Sequence, residues 1–80
     1  MKVLLAGAYG QVGQELIRSL STKIGLANVI CADVRTPPEN VKVNTHEHLD
    51  LRDKSSLYKI LEKHKINHVY CLAALLSASG

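Results

Sequence analysis

The sequence predicts an α/β fold built on a parallel sheet, and three observations lead to that prediction. First, short apolar runs typical of buried strands alternate with amphipathic stretches at helical spacing. Second, the first apolar run leads directly into Gly7-Ala-Tyr-Gly10-Gln-Val-Gly13, where a helical pattern begins. Third, Asp33 ends the second apolar run, twenty residues after Gly13. A strand, a glycine turn and a helix in this order favour a phosphate-binding turn at the edge of the sheet.

The first half of the chain predicts a strand, a helix and a second strand. Lys2–Ala6 is a short apolar run before glycine, which is typical of a buried parallel strand. A helix is predicted from Gln11 to about Lys23, and Gly25 suits the position just past its end. Its apolar face would consist of Val12, Leu16, Ile17, Leu20 and Ile24. The second strand is predicted over Asn28–Ala32.

The second half is less regular. Two consecutive prolines forbid a helix directly after the second strand. A third strand is expected somewhere within Val41–Leu49, although the polar stretch leaves its register open. Asp53 is a good N-cap for a second helix that reaches about Lys65. A fourth strand is predicted over His68–Leu72.

This succession of elements predicts the strand order 3-2-1-4 with one helix on each face, because parallel crossovers are right-handed. One helix per face is too little cover for a parallel sheet of four buried strands. The fourth strand would also be an unprotected edge. We therefore expect residues 1–80 to be part of a larger domain and to be poorly stable alone.

Composition excludes several functional classes. Lys and Arg exceed Asp and Glu only by 10 to 7, and Phe and Trp are absent, so nucleic-acid binding is not indicated. No apolar run approaches the roughly 20 residues of a membrane span, and no leader precedes the first strand. We expect a cytoplasmic protein. The alternative is a protein of an organellar matrix whose leader has been removed. Cys31 and Cys71 are expected as buried thiols, and His46 and His48 lack a third ligand, so no metal site is predicted.

The three glycines suit an anion-binding turn. Gly7 can adopt the backbone angles of a sharp turn, Gly10 lets an anionic group approach the main chain, and Gly13 lets the helix pack closely on the strand. The unpaired N–H groups at the helix start would then face a pyrophosphate. An ordinary glycine turn before an ordinary helix is the alternative.

The acids that follow the second and third strands are candidate ligands for an adenosine. The Asp33 carboxylate can accept hydrogen bonds from both ribose hydroxyls and would repel a 2′-phosphate, which favours NAD over NADP. Arg35 could soften that repulsion, and a loop aspartate that caps a turn is the alternative for Asp33. Asp50 can reach the adenine edge with the Leu51 backbone beside it, or it is a solvated loop acid.

Two alanines follow the fourth strand, which lies beside the first strand in the predicted order. Ala73 and Ala74 would therefore lie over the glycine loop, where small side chains leave room for a cofactor. Plain packing is the alternative reading of the same residues.

These motifs together resemble those of the extended short-chain dehydrogenase/reductase family, and the resemblance covers the whole chain. Within that family, the run Ala74-Leu-Leu-Ser77-Ala resembles the L-threonine 3-dehydrogenase branch. The resemblance implies a partial Rossmann-type sheet, with residues 1–80 as the N-terminal part of an NAD-binding domain. It implies that the pyrophosphate is held by Gly7, Gly10, Gln11, Val12 and Gly13. The adenosine ribose would meet Asp33, Val34 and Arg35, and the adenine would meet Asp50 and Leu51. Leu72, Ala73 and Ala74 would lie along the cofactor, and Ser77 near the substrate.

The resemblance also implies a reaction, in which L-threonine is oxidised to 2-amino-3-oxobutanoate with NAD, and it leaves a homodimer open for the full-length enzyme. Two alternatives remain, the cofactor half of a sugar-nucleotide epimerase/dehydratase and a non-catalytic dinucleotide-binding module. The family's catalytic Tyr-x-x-x-Lys pair is absent, since Tyr9, Tyr58 and Tyr70 are followed four residues later by Gly13, Glu62 and Ala74. We therefore predict no catalytic residue and no turnover within these 80 residues.

Overall fold

The computed structural model describes residues 1–72 of the chain, and these residues form a four-stranded sheet with two α-helices. The predicted cofactor residues Ala73 and Ala74 and the predicted substrate residue Ser77 lie outside the described residues. In chain order the elements are β1 (Val3–Ala6), α1 (Gln11–Ile24), β2 (Val29–Asp33), β3 (Thr45–His48), α2 (Lys54–Lys63) and β4 (His68–Cys71). A short 3-10 turn over Leu26–Asn28 connects α1 to β2.

All the strand pairs of this sheet are parallel, and the strand order is β3-β2-β1-β4. In the register Val3 lies beside Val29 on one side and beside His68 on the other. At the sheet edge, Cys31 of β2 lies beside His46 of β3. The α/β fold and the 3-2-1-4 order predicted from the sequence are therefore confirmed.

The two helices lie on opposite faces of the sheet. Alternate residues of each strand point to opposite faces, so each helix packs against a separate buried cluster. Val3, Leu5, Val29 and Cys31 pack with Ile17 of α1. On the other face the cluster consists of Leu4, Ala6, Ile30, Ala32, Leu49 and Ile60, the last contributed by α2. The prediction of one helix on each face is confirmed for the described part of the chain.

The connection between β2 and β3 takes the place of a helix on the α1 face. Its Val41 and Val43 pack against the same cluster as α1. The chain moves from β2 to β3 in the same direction as from β1 to β2, so a right-handed crossover must lie on that face. A turn closed by a hydrogen bond from Val41 N to Pro38 O, 3.0 Å long, follows the two prolines.

Both ends of α2 are fixed by side chains. Asp53 is the N-cap, as predicted, and its carboxylate accepts a hydrogen bond from Ser56 N at 3.2 Å. At the other end, Glu47 Oε2 of β3 lies 2.6 Å from His64 Nε2 and 2.9 Å from Lys63 Nζ. The contact with His64 and then the one with Lys63 hold the pKa of Glu47 below its ordinary value. This cluster ties the edge strand β3 to the C-terminus of α2.

Burial differs from the prediction at several positions. Val12 is 62% exposed instead of lying on the apolar face of α1, because the first turn of α1 extends beyond the end of β1. The residues of β4 are all exposed, including Cys71, whereas Cys31 is buried as expected. The two helices pack over β1 and β2, and within residues 1–72 neither buried cluster contains a side chain of β3 or β4. The exposure of β4 agrees with the expectation of an unprotected edge and of too little helix cover, whereas the expected burial of Cys71 was wrong.

Candidate functional site

The candidate site lies where the carboxyl ends of β1, β2 and β3 meet at one edge of the sheet. Residues 7–10 form the loop between β1 and α1, which we call the glycine loop. Asp33 is the last residue of β2, and its carbonyl oxygen accepts a hydrogen bond from Leu49 N at 3.2 Å, just before Asp50. Ligands of open parallel sheets bind at this edge because the loops there diverge from the strands.

Two of the three glycines are required by the backbone itself. Gly7 has a φ of +85°, a conformation that other residues rarely adopt. At Gly13 a Cβ would overlap the backbone carbonyl of Ala8, so only glycine lets the first turn of α1 approach the loop this closely. Both findings agree with the turn and packing roles predicted from the sequence.

Gly10 is required neither by its backbone angles nor by a close contact. Its φ of −73° is accessible to any residue. A Cβ there would meet only Arg35 Nη2 and Gly7 O, each at 3.9 Å, which is an ordinary contact distance. The absence of a side chain at Gly10 therefore leaves the backbone approachable from the side that faces Arg35.

The N-terminus of α1 has no side-chain cap, since Gly10 is its N-cap residue. The first hydrogen bond of the helix runs from Gln14 N to Gly10 O at 3.0 Å, so the preceding helical N–H groups have no partner in the helix. These donors and the positive end of the helix dipole attract an anion. The uncapped start, together with the open backbone at Gly10, fits a pyrophosphate group.

The glycine loop is held against β2 by three backbone donors. Gly7 N and Ala8 N both donate to Ala32 O, at 2.8 and 3.2 Å. Tyr9 N donates to Asp33 Oδ2 at 3.0 Å. The side chain of Gln14 adds a bond from Nε2 to Tyr9 O at 2.9 Å. The loop is thus fixed relative to the carboxylate of Asp33.

Tyr9 anchors the loop a second time through its side chain. The ring is only 4% exposed and lies on the α1 face, where its hydroxyl is 2.7 Å from His46 Nδ1. The two rings are also stacked, with centroids 5.5 Å apart. Burial, followed by the nearby Cys31 and Asp33, raises the pKa of Tyr9, so the hydroxyl stays protonated. Tyr9 therefore spans β2 and reaches the edge strand β3.

Asp33 is a buried carboxylate, 4% exposed, that accepts hydrogen bonds from both of its neighbours in the site. Besides Tyr9 N, it accepts from Arg35 N and Nε on Oδ1, at 3.0 and 3.1 Å, and from Arg35 Nη2 on Oδ2, at 2.9 Å. Burial alone would raise the pKa of Asp33, but the bonds from Arg35 and Tyr9 outweigh it and hold the pKa below its ordinary value. The carboxylate is therefore ionised at neutral pH.

Asp50 and Arg52 repeat this arrangement after β3. Arg52 N and Nε donate to Asp50 Oδ1 at 3.0 and 3.1 Å, and Arg52 Nη2 donates to Oδ2 at 2.7 Å. The guanidinium lowers the pKa of Asp50 to about 2. This second pair is more open, since the side chains of Arg52 and Asp50 are 91% and 37% exposed. Both acids predicted to meet an adenosine are thus paired with the arginine two residues later.

A family comparison identifies this arrangement. The model of the NAD dependent epimerase/dehydratase family matches residues 3–80. The chain belongs to this family. The curated relatives of the chain include proteins named as epimerase/dehydratases and as L-threonine 3-dehydrogenases.

Relatives and solved structures agree with this family assignment. An uncharacterised epimerase/dehydratase of Staphylococcus saprophyticus is 38% identical over 99% of the chain and 25% of the relative. The mitochondrial L-threonine 3-dehydrogenase of Bos taurus is 36% identical over 99% of the chain and 21% of the relative. The holo form of a GalE-like L-threonine dehydrogenase from Cupriavidus necator superposes with a TM-score of 0.81, at 40% identity over 90% of the chain and 23% of that structure. The resemblance stated from the sequence is confirmed.

The chain spans about a quarter of the length of the curated relatives it matches. The family membership is established by the match to residues 3–80, and the partial Rossmann-type fold by the parallel sheet of residues 1–72.

Among residues 1–72 the structure brings one group of the sequence-predicted residues together at this edge, namely Gly7, Gly10, Gln11, Gly13, Asp33 and Arg35. The side chains of Val12 and Val34 are exposed. Leu51 packs against the α2 cluster, which leaves its backbone as the candidate contact with a ligand. Leu72 follows β4, which pairs with β1 beside the glycine loop.

Three contributors to the site were missed or left open by the sequence. Tyr9 was considered as a tyrosine that lacks a lysine four residues later, whereas it is buried and joins the loop to His46. Arg52 was not singled out, although the spacing Asp50-Leu-Arg52 repeats Asp33-Val-Arg35 and could have indicated a second pair. His46 gave no signal, because only the register that sets it beside Cys31 puts it on the Tyr9 face.

Residues 1–72 contain no group of three or more His, Cys, Asp or Glu side chains placed to hold a metal ion. Over the same residues no helix has the length and apolar character needed to cross a membrane.

Proposed function

We propose that this chain forms the adenosine-and-pyrophosphate half of an NAD site, and that the protein to which it belongs is an NAD-dependent oxidoreductase. The observation that carries the proposal is the juxtaposition of two complementary groups at one sheet edge. The uncapped start of α1 beside Gly10 suits an anion, and the buried carboxylate of Asp33 suits a diol. A dinucleotide with a free adenosine ribose presents both groups at once.

In this proposal the pyrophosphate contacts the backbone of Gly10, Gln11, Val12 and Gly13, with Gly7 shaping the turn. Asp33 receives the ribose hydroxyls, with the backbones of Val34 and Arg35 beside it. Asp50 and the Leu51 backbone lie at the adenine end. Leu72, Ala73 and Ala74 would lie along the cofactor towards the nicotinamide.

The preference for NAD over NADP follows from charge. Asp33 is ionised at neutral pH because its neighbours hold its pKa low. A 2′-phosphate would bring about two negative charges against that buried carboxylate. Arg35 supplies one nearby positive charge, which reduces but does not cancel this repulsion.

For the reaction we propose oxidation of L-threonine to 2-amino-3-oxobutanoate, with the nicotinamide as hydride acceptor. Support comes from the relatives that carry the name L-threonine 3-dehydrogenase and match nearly the whole chain. Ser77 would lie near this substrate. The tyrosine–lysine pair that the chemistry needs is not among these residues, so residues 1–80 would supply cofactor binding and not the acid/base step.

A second candidate function is epimerisation or dehydration of a nucleotide sugar with the same cofactor half. The observation that favours it is the match to the epimerase/dehydratase of Staphylococcus saprophyticus. The third candidate is a binding module without catalysis, which would use the same edge of the sheet. It is suggested by the absence of a Tyr-x-x-x-Lys pair from residues 1–80.

One set of assays on the full-length protein separates these functions. We expect saturable binding of NADH by fluorescence titration, and L-threonine-dependent formation of NADH by absorbance, with L-serine and a nucleotide sugar as comparison substrates. Turnover of the nucleotide sugar without L-threonine oxidation would support the second candidate. Binding without any turnover would support the binding module, and no saturable binding of NAD or NADH would refute the proposal itself.

A further inference from the structure

The carboxylate of Asp33 has no acceptor capacity left. A carboxylate offers about four lone-pair sites to donors. Asp33 already accepts four hydrogen bonds, one from Tyr9 N and three from Arg35, of which one is from its backbone and two are from its guanidinium. Two further donors, such as the two hydroxyls of a ribose, can be accepted only when two of the present donors leave.

The backbone donors cannot leave without moving the fold. Tyr9 N belongs to the glycine loop, which is fixed by the bonds to Ala32 and by the ring contact with His46. Arg35 N lies two residues after the end of β2 and closes a tight turn on Asp33. The guanidinium of Arg35 is different, because its side chain is 56% exposed and can rotate away.

We propose that Arg35 is an intramolecular competitor for the ribose diol at Asp33, so that dinucleotide binding exchanges the two guanidinium bonds for the two hydroxyl bonds. This inference rests on the proposed NAD site. Arg35 Nη2 also lies 3.9 Å from the position that a Cβ on Gly10 would take, so the guanidinium lies beside the glycine loop. A ribose that reaches the carboxylate of Asp33 must displace the guanidinium.

The burial of Asp33 makes this an exchange and not a simple loss. With the guanidinium in place the carboxylate is only 4% exposed, so the loss of its two charge-assisted bonds would be costly, and the two hydroxyl donors of the ribose would offset that cost. The corresponding pair of Asp50 and Arg52 is open to solvent, since the Asp50 side chain is 37% exposed. Water can therefore replace the hydrogen bonds from Arg52. The competition is therefore expected at Asp33 and not at Asp50.

The test uses adenosine as probe, because it carries the diol but no phosphate that would respond to the charge of Arg35. Adenosine binding to the full-length protein would be measured by competition against NADH fluorescence. The variants are Arg35→Met, which keeps the apolar stem and the backbone N–H, and Arg35→Lys, which keeps the charge but not the fork. Arg18→Met is the matched control, because Arg18 is an exposed arginine that pairs with Glu15 on α1 at 3.7 Å.

We expect Arg35→Met to bind adenosine about fivefold more tightly, which is the size set by a partly exposed ion pair. Arg35→Lys should lie between Arg35→Met and the unmodified protein, and it provides the comparison if the Met variant does not fold. Arg18→Met should show no change. The gain should disappear with 2′,3′-dideoxyadenosine, which has no diol to exchange.

Two outcomes would overturn the inference alone. One is saturable NADH binding with unchanged or weaker adenosine binding in both Arg35 variants, and the other is an equal gain for adenosine and its dideoxy analogue. A protein that binds neither NADH nor NAD would instead overturn the proposed function together with this inference.

Discussion

The hydroxyl of Tyr9 and Nδ1 of His46 lie 2.7 Å apart, and this contact joins the glycine loop to the far strand of the sheet. Tyr9 is thereby held at both ends, since its backbone N–H donates to Asp33. The loop between β1 and α1 is short, and its backbone bonds alone reach only β2. The side chain of Tyr9 extends that support to β3.

Replacing Tyr9 by Phe should therefore loosen the glycine loop without changing its fold. The ring keeps its packing, but the partly buried His46 loses its partner, which costs about 1 kcal/mol in the free energy of unfolding. Urea denaturation would measure the loss, and NADH titration should show weaker binding by a few-fold. Tyr58→Phe, at a side chain 64% exposed on α2, should change neither quantity. Equal stability of the Tyr9 and Tyr58 variants would show that the Tyr9–His46 contact contributes nothing.

The glycines at 10 and 13 allow stability and binding to be separated with one added methyl group each. At Gly13 the new Cβ overlaps the carbonyl of Ala8, so Gly13→Ala should destabilise the protein by about 1–3 kcal/mol or more. At Gly10 the new Cβ meets only ordinary contacts, and an N-cap change from Gly to Ala should cost less than about 1 kcal/mol.

At Gly10 the added methyl group should reduce cofactor binding without unfolding the protein. Gly10→Ala places its methyl group where the pyrophosphate would approach the backbone, so NADH binding should fall at least about tenfold in a protein that still melts normally. Thermal melting and NADH titration of the two variants provide the comparison. A Gly10→Ala protein with unchanged affinity would contradict the assignment of the pyrophosphate to this loop.

The sequence predicted most reliably what local patterns determine. The apolar runs of β1 and β2, the glycine turn and the capping residue Asp53 all carry strong local signals, and each lies within a residue or so of its predicted place. The residues of β3 carry no such signal, because Thr45–His48 is polar throughout. Its register is fixed by pairing with β2, which is a long-range contact that periodicity cannot report.

The errors in the site have a similar origin. Val12 has the spacing of an apolar face, but the helix extends past the sheet edge at that turn, so nothing covers it within the described residues. The low pKa of Asp33 depends on the hydrogen bonds from Arg35, which folds back onto the carboxylate. The two-residue spacing in the sequence predicts only that these residues are close, not that they are hydrogen-bonded. Tyr9 reaches His46 across β2, and the distance between them in the sequence hides the contact.

Asp33→Ala should change cofactor selectivity and not merely affinity. The variant loses the acceptor for the ribose diol and the repulsion against a 2′-phosphate, while Arg35 becomes available to that phosphate. We expect NADH binding to weaken by about tenfold or more and NADPH binding to weaken less or to improve. The ratio of the two dissociation constants is the measured quantity, which also corrects for any shared loss of folded protein. Equal losses for NADH and NADPH would remove the selectivity assigned to Asp33.

Acid should weaken the tie between β3 and α2 through Glu47. His64 and Lys63 hold the pKa of Glu47 below its ordinary value of 4.5, so its contribution is fully present above that pH. The contribution is lost as the pH falls through the lowered folded value, because the unfolded chain then binds the proton more readily. Below about pH 4.5, the free energy of unfolding should therefore fall more steeply in the unmodified protein than in Glu47→Gln.

Urea denaturation at a series of pH values from neutral to well below 4.5 would measure these two curves. Other carboxylates with lowered pKa values, Asp33 among them, are present in both proteins, so the difference between the curves isolates Glu47. Glu15→Gln is the control, because it removes an exposed carboxylate that lies 3.7 Å from Arg18. Its curve should stay close to that of the unmodified protein. Parallel curves for Glu47→Gln and the unmodified protein would mean that Glu47 does not stabilise the junction of β3 with α2.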